Sequence, residues 1–130
     1  MSPHLFQNAN RRHLVLATAN RQLASDHQRS LQEIGWEARL ASSGYAARRL
    51  AQEGHPELVI VEERLPEESG WLTCAKLSFV EPRPEVLLLC DHITAQTRKR
   101  ALFVGVRVES VREDLVALLS NWPQRIACAS

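Results

Sequence analysis

Three short apolar runs in this 130-residue sequence are each followed at once by residues that are mostly polar or charged. The residues after these runs are Thr18, Ala19 and Asn20; Glu62, Glu63 and Arg64; and Cys90, Asp91 and His92. Carboxylates and thiolates can act as nucleophiles or bases, and an aspartate beside a histidine can bind a metal ion. These residue types define a candidate site, whose chemistry depends on whether the fold brings them together.

The carboxylate of Glu62 needs a partner, because it ends the apolar run LVIV and an unpaired charge there would be costly. Arg64, two residues further on, and Arg21 are the candidate cations. An arginine that binds in a bidentate manner would satisfy the carboxylate oxygens. The sequence therefore predicts an ion pair at Glu62.

Cys90 and its neighbours support weaker hypotheses. A reactive thiol is one interpretation of Cys90, but no histidine base is inferred beside it, and a lone cysteine in an apolar run is more often a small core residue. The adjacent pair of Asp91 and His92 invites a catalytic or metal-binding interpretation. Adjacent side chains on a loop usually diverge, which favours solvation of both. The segment Glu67 to Ser69 is predicted to form a surface turn that caps the next helix.

Short apolar runs alternate with amphipathic segments, which predicts an α/β fold with a parallel sheet covered by helices on both faces. Five runs are predicted to be strands: His13 to Ala17, Ala38 to Ala41, Leu58 to Val61, Val86 to Leu89 and Val106 to Val108. Sheets of this kind gather their functional loops at the carboxyl ends of the strands. The candidate residues all fall at those ends.

Helical patterns separate the predicted strands, and glycine or proline follows several of them. The residues that mark the inner face are Leu23, His27, Leu31 and Ile34 in the first helix; Tyr45, Ala46, Leu50 and Ala51 in the second; and Trp71, Leu72, Ala75 and Phe79 in the third. A fourth helix is predicted over about Thr94 to Val104, and a fifth on the stripe of Val111, Leu115, Leu118, Leu119 and Trp122. Each predicted strand is thus followed by a helix.

The sequence resembles the receiver domains of bacterial two-component response regulators over nearly its whole length. In that family the third strand ends in a phosphorylated aspartate, followed by an apolar residue, a proline and a glycine. The stretch VEERLPEESG places Glu62, Leu65, Pro66 and Gly70 in those positions. Gly44 and Gly105 resemble further glycines of the family. The resemblance implies a flavodoxin-like, five-stranded parallel sheet in the order 2-1-3-4-5.

The residues that would perform phosphoryl transfer depart from the family pattern, so the resemblance is to an atypical, degenerate receiver domain. Thr18 and Ala19 replace the acid pair that holds magnesium, and Cys90 replaces a serine or threonine. No lysine follows Lys99, and Arg112 is only a weak candidate to replace the lysine of the family. These groups normally offset developing negative charge. The resemblance therefore implies no metal, no cofactor and no ordinary aspartyl phosphorylation.

Glu62 in the phosphoacceptor position supports two interpretations. Its carboxylate extends one methylene further than that of aspartate and would mimic the phosphorylated state, or it is simply paired with a cation such as Arg64. The favoured function is a phosphorylation-independent signalling module that works by protein contact. The alternatives are a working phosphoacceptor at Glu62, and an enzyme on the same fold with Glu62, Cys90 or Asp91 as the reactive group.

A partner surface is predicted on the fourth helix, the fifth strand and the fifth helix, a face that receiver-like proteins commonly use. Its predicted residues are Arg98, Arg100, Phe103 and Arg107, which combine cations with a large apolar group. The partner would be another protein or a second copy of the chain. Nucleic acid would be bound only through an output domain, if one exists, because the net charge is only +1.

Composition predicts one cytoplasmic domain. Charged residues make up 24% of the chain, and the three cysteines form no CxxC pair, which is typical of reduced thiols. No apolar run is long enough to cross a membrane, and the first residues lack the apolar core of a signal peptide. The domain is expected over residues 13–122, between a tail at 1–12 and a tail or linker start at 123–130.

Overall fold

A computed structural model describes residues 11–123 of the chain. Five strands form one parallel sheet in the order β2-β1-β3-β4-β5. Their bounds are β1 Arg12–Ala17, β2 Trp36–Ala41, β3 Leu58–Glu62, β4 Glu85–Cys90 and β5 Arg107–Ser110. The structure confirms the predicted α/β class, the flavodoxin-like topology and the strand order.

Five helices alternate with the strands. Their bounds are α1 Arg21–Glu33, α2 Gly44–Gly54, α3 Gly70–Leu77, α4 Ala95–Val104 and α5 Leu115–Ser120. Each begins after a side chain that accepts hydrogen bonds from free N–H groups of the first turn, and these N-cap residues are Asn20, Ser43, Ser69, Thr94 and Asp114. Ser69 therefore caps the third helix as predicted.

The sheet is buried on both faces, which explains why its central strands are apolar throughout. All four residues from Leu58 to Val61 are inaccessible to solvent. Alternate side chains of the strands pack against α2, α3 and α4 on one face, and against α1 and α5 on the other. The polar residues that follow the strands are thereby held at one edge of the sheet.

Two helices differ from their predicted apolar patterns. The third helix ends at Leu77, so Phe79 lies in the following turn and is exposed, and Leu72 is also exposed. Trp71, Cys74 and Leu77 form the buried face instead. In the last helix the predicted stripe is too long, because Val111 precedes the cap at Asp114 and Trp122 follows the final turn. Val111 and Trp122 pack on the core from outside the helix, which periodicity alone does not reveal.

Arg12 begins β1, although the sequence placed it in a tail, and it joins distant parts of the fold. Its guanidinium donates to both carboxylate oxygens of Glu57, the residue before β3, and stacks 4.4 Å from the centre of the Trp36 ring. It also donates to the backbone carbonyls of Trp122 at 2.7 Å and Pro123 at 2.9 Å. One side chain thus fastens the end of the described chain to the amino edge of the sheet.

Within residues 11–123, none of the helices has the length and apolar character that crossing a membrane requires.

Candidate functional site

The carboxyl edge of the sheet brings Thr18 and Glu62 together. Ala17 lies opposite Val61 in the parallel register of β1 and β3. The residues that follow these two, Thr18 and Glu62, are therefore neighbours as well. Gly70 begins α3 close to this point, and a Cβ atom there would collide with the Glu62 carbonyl oxygen and the Glu63 Cα. Glycine at this position therefore allows α3 to start directly beside the end of β3.

Thr18 is the hydrogen-bond partner of Glu62. Its hydroxyl donates to Glu62 Oε1 at 2.5 Å and accepts from the Asn20 backbone N–H at 3.1 Å. Thr18 is only 3% exposed, whereas the Glu62 side chain is half-buried. A carboxylate oxygen and a buried hydroxyl thus satisfy each other at the end of neighbouring strands.

The predicted ion pair between Glu62 and Arg64 is wrong. Arg64 Nε lies 2.9 Å from Asp91 Oδ2, and Glu62 forms no ion pair within residues 11–123. Arg64 lies on an exposed loop two residues beyond the strand end, and its guanidinium pairs with the residue that follows β4. Arg21 is also exposed and makes no ion pair with any residue of that range.

Glu63 connects the strand end to α3 and α4 through an aromatic ring. The Trp71 indole N–H donates to Glu63 Oε2 at 2.9 Å, and the Arg100 guanidinium stacks 4.4 Å from the centre of the Trp71 ring. A cation above an indole face is attracted by the ring quadrupole. The chain of Glu63, Trp71 and Arg100 therefore holds α4 against the residue next to Glu62. The sequence marked Trp71 as a core residue, but it did not indicate this link.

Cys90 lies in the core at the end of β4, fully inaccessible to solvent. Burial raises the pKa of its thiol to about 11, with further contributions from the charges of Glu63 and Asp91. Cys74 is also buried, and burial raises the pKa of its thiol to about 12. Both thiols are protonated at neutral pH, so neither has the reactivity of a thiolate.

The carboxylates at this edge do not fit a magnesium ion. Magnesium needs several oxygen ligands around one point. Here Glu62 accepts from Thr18, Glu63 accepts from Trp71 and Asp91 pairs with Arg64. Ala19 contributes no side-chain oxygen, and residues 11–123 contain no cluster of three potential metal ligands among His, Cys, Asp and Glu.

Within residues 11–123, the segments that follow β4 and β5 contribute no cation that pairs with Glu62. Ser110 lies opposite Cys90 in the register of these strands, and Arg112 is exposed beyond the end of β5. The Arg112 backbone N–H donates to Ser110 Oγ at 3.1 Å, within a turn. His92 is exposed as well. The position of Arg112 gives no support to its predicted role as a substitute for the lysine.

Glu68 belongs to a network that the sequence did not predict. Its carboxylate accepts hydrogen bonds from Arg48 on α2 and from Thr73 and Lys76 on α3. Burial by itself would raise the pKa of Glu68, but these hydrogen bonds outweigh it and lower the pKa to about 2. Glu68 is therefore a partly buried connector between two helices, in a turn whose neighbouring residues Glu67 and Ser69 are exposed.

Some residues of the predicted partner surface are exposed, whereas others contact residues of the same chain. Phe103 is 92% exposed and its neighbour Leu102 is 82% exposed, while Arg98 is also exposed. Arg100 is occupied by Trp71, and Arg107 pairs with Glu109 and stacks 4.9 Å from the Trp122 ring. Two of the four predicted residues thus have partners within the chain. The exposed Leu102 was not among the residues predicted for this surface.

No protein-family model matches the sequence, and no curated protein matches it. Solved structures do match. The chemotaxis protein CheY4 of Vibrio cholerae has a TM-score of 0.76 at 16% identity, over 84% of this chain and 93% of that one. The HemR receiver domain of Leptospira biflexa has a TM-score of 0.76 at 18% identity, over 89% of this chain and 99% of that one. A response regulator from Burkholderia pseudomallei with a phosphorylated aspartic acid has a TM-score of 0.75 at 22% identity, over 84% of this chain and 65% of that one.

These solved structures share the fold of this chain at low sequence identity. The likeness covers the sheet, its order and the flanking helices, and it extends over most of the described residues. The chain has the fold of response-regulator receiver domains.

Proposed function

We propose that this chain is a pseudo-receiver: a cytoplasmic signalling module that works by protein contact and is not switched by phosphorylation. One observation carries the proposal, the hydrogen bond from Thr18 to Glu62. A carboxylate at position 18 would repel Glu62 unless a cation lay between them, whereas a hydroxyl satisfies Glu62 without a metal. Free, buried Cys74 and Cys90 suit a reducing compartment.

The contacts around Glu63 support a single signalling conformation. The Trp71 ring is held by Glu63 at its N–H and by Arg100 on its face. Because Arg100 belongs to α4, a displacement of that helix would break the cation–π contact between Arg100 and Trp71. Contacts within the chain itself thus favour this position of α4, with the Glu62 carboxylate nearby at the end of β3.

The two alternative functions have less support. A phosphoacceptor needs a metal between carboxylates, and the three carboxylates of this edge each bind a different partner. An enzyme that uses Cys90 needs a thiolate, and a thiol with a pKa of about 11 is protonated at neutral pH.

Exposure to acetyl phosphate and magnesium tests the proposal, with intact mass as the measurement. We expect the mass of the chain to stay unchanged, while a phosphorylatable receiver domain in the same tube gains one phosphoryl group. A gain of one phosphoryl group by this chain that is absent from the Glu62→Gln variant would overturn the proposal.

A second experiment tests whether Thr18, in place of a carboxylate, is the reason that the strand ends need no metal. The triple variant Thr18→Asp, Ala19→Asp, Glu62→Asp restores a set of carboxylates at the strand ends. We expect magnesium at millimolar concentration to raise the melting temperature of the triple variant and to leave the native chain unaffected. An equal rise for both proteins would contradict the stated role of Thr18.

A further inference from the structure

The sheet has an open edge at β2. Strand β1 pairs with one side of β2, and no strand within residues 11–123 lies on its other side. On the β1 side, the Ala41 carbonyl accepts from the Thr18 backbone N–H at 3.0 Å. Because backbone groups alternate in direction along a strand, Ala38 and Leu40 direct their N–H and C=O groups away from β1. These outward groups can form hydrogen bonds with another strand.

An open cleft of about 410 Å³ gives access to this edge. The cleft runs along β2 and is lined from one face of the sheet by Gln28 and Gln32 of α1, and from the other face by Leu50 of α2. Gln28 Nε2 donates to the Ala38 carbonyl at 2.8 Å, as expected for a carbonyl that points outward. A carbonyl oxygen has two lone pairs, so it can accept a second hydrogen bond.

Two exposed residues of opposite charge lie on one face of β2. Glu37 and Arg39 are two residues apart, so both lie on the face that α2 covers, as does Ala41. Glu37 lies 3.5 Å from His13, which is a cation only when it is protonated. Arg39 forms no ion pair with any residue of the described range. The strand thus presents a carboxylate and a guanidinium on either side of Ala38.

We propose that β2 pairs with β2 of a second copy of the chain, in the antiparallel direction and centred on Ala38. In this register Glu37 lies opposite Arg39 of the second copy, and the two-fold symmetry repeats the pair. Trp36 lies opposite Leu40 of the second copy, which places two apolar residues together. The small side chain of Ala38 meets its own copy at the symmetry axis.

The charges select this register among its neighbours. A pairing centred on Glu37 or on Arg39 would place that residue opposite its own copy, so that like charges meet. In the register centred on Ala38, Glu37 and Arg39 form a non-hydrogen-bonded pair, in which opposing side chains approach most closely. The pairing edge lies across the sheet from β5 and does not include Glu62, so the inference is independent of the proposed function.

Sedimentation velocity of the full chain across a concentration series tests the pairing. We expect the native chain to self-associate as its concentration rises. Each single reversal, Glu37→Arg or Arg39→Glu, places like charges opposite each other twice and should weaken association by about tenfold or more. The double reversal Glu37→Arg, Arg39→Glu exchanges the charges and should restore association.

Arg98→Glu is the matched control, because Arg98 is an exposed cation on α4, which precedes the strand at the other edge of the sheet. It should leave association unchanged. Hydrogen exchange is the second measurement, and residues 36–41 should gain protection as the concentration rises. The proposal is overturned by a native chain that stays monomeric, by single reversals that associate as the native chain does, by a folded double variant that does not associate, or by equal loss with Arg98→Glu.

Discussion

Position 18 shows how one residue type changes the chemistry of a strand end. The sequence located Glu62 and Thr18 at the same edge, but it predicted an arginine as the partner of Glu62. The observed partner is the Thr18 hydroxyl, because the register of β1 and β3 makes these two residues neighbours, while Arg64 has already left the sheet. Strand register, once proposed, could have indicated this hydrogen bond, since both residues directly follow paired strand positions.

Replacement of Thr18 by valine removes the hydroxyl and keeps the shape of the side chain. We expect the free energy of unfolding to fall by about 1–3 kcal/mol, because the Glu62 carboxylate loses its donor in a half-buried place. Urea denaturation measures the change. Ser42→Ala, at an exposed position of the neighbouring loop, is the control and should have little effect. Equal denaturation midpoints for Thr18→Val and the native chain would contradict the importance of this hydrogen bond.

Glu68 should make the stability of the protein depend on pH in the acid range. Its pKa is lowered from 4.5 to about 2 in the folded state, so its contribution is complete above the unfolded pKa and is lost as the pH falls towards 2. The shift corresponds to at most about 3 kcal/mol. In Glu68→Gln this part of the pH dependence should disappear, as measured by urea denaturation between these pH values. Parallel stability curves for the two proteins would contradict the shift.

At the scale of the elements, the strands were easier to predict than the faces of the helices. A continuous apolar run such as Leu58 to Val61 is explained by a strand buried on both faces. The third helix was harder, because Trp71, Leu72, Ala75 and Phe79 fit a helical spacing that the fold does not use. Phe79 lies outside the helix, and the true buried face includes Cys74 and Leu77. Local spacing does not state where a helix ends.

The contact between Arg100 and Trp71 should restrain α4. We expect Arg100→Ala to increase amide hydrogen exchange in α4 and to lower the free energy of unfolding by about 0.5–2 kcal/mol. Arg98→Ala removes an exposed cation of the same helix and should leave exchange nearly unchanged. Hydrogen exchange with mass spectrometry compares the two variants. The same exchange pattern in both would show that the ring contact does not hold the helix.

At the scale of the whole molecule, the fold was predictable because apolar runs, helix ends and glycines agree with one another. The candidate site was predictable only in its location. Its contacts depend on side chains distant in sequence, such as Glu68 with Arg48 and Trp71 with Arg100. Nothing in the local sequence states which of the exposed cations find such partners.

Arg12 should be a major determinant of global stability. Its planar guanidinium makes two bonds to Glu57 and further bonds to two carbonyls, a geometry that a lysine ammonium cannot reproduce. We expect Arg12→Lys to lower the free energy of unfolding by about 1–3 kcal/mol. Thermal and urea denaturation measure the loss, with Arg29→Lys as the conservative control on an exposed surface. Equal stability of the two lysine variants would show that charge alone suffices at position 12.

The contacts of Arg12 also bear on how the chain is completed during synthesis. Arg12 is among the first residues of the fold to leave the ribosome, whereas the carbonyls of Trp122 and Pro123 that it binds lie 110 and 111 residues later. Domains generally fold as units as they emerge, and contacts of high sequence separation are slow to form. In a nascent chain that has not yet released Pro123, Arg12 can therefore meet Glu57 and Trp36 but not both of its carbonyl partners, so this set of contacts is completed only when the end of the described chain emerges.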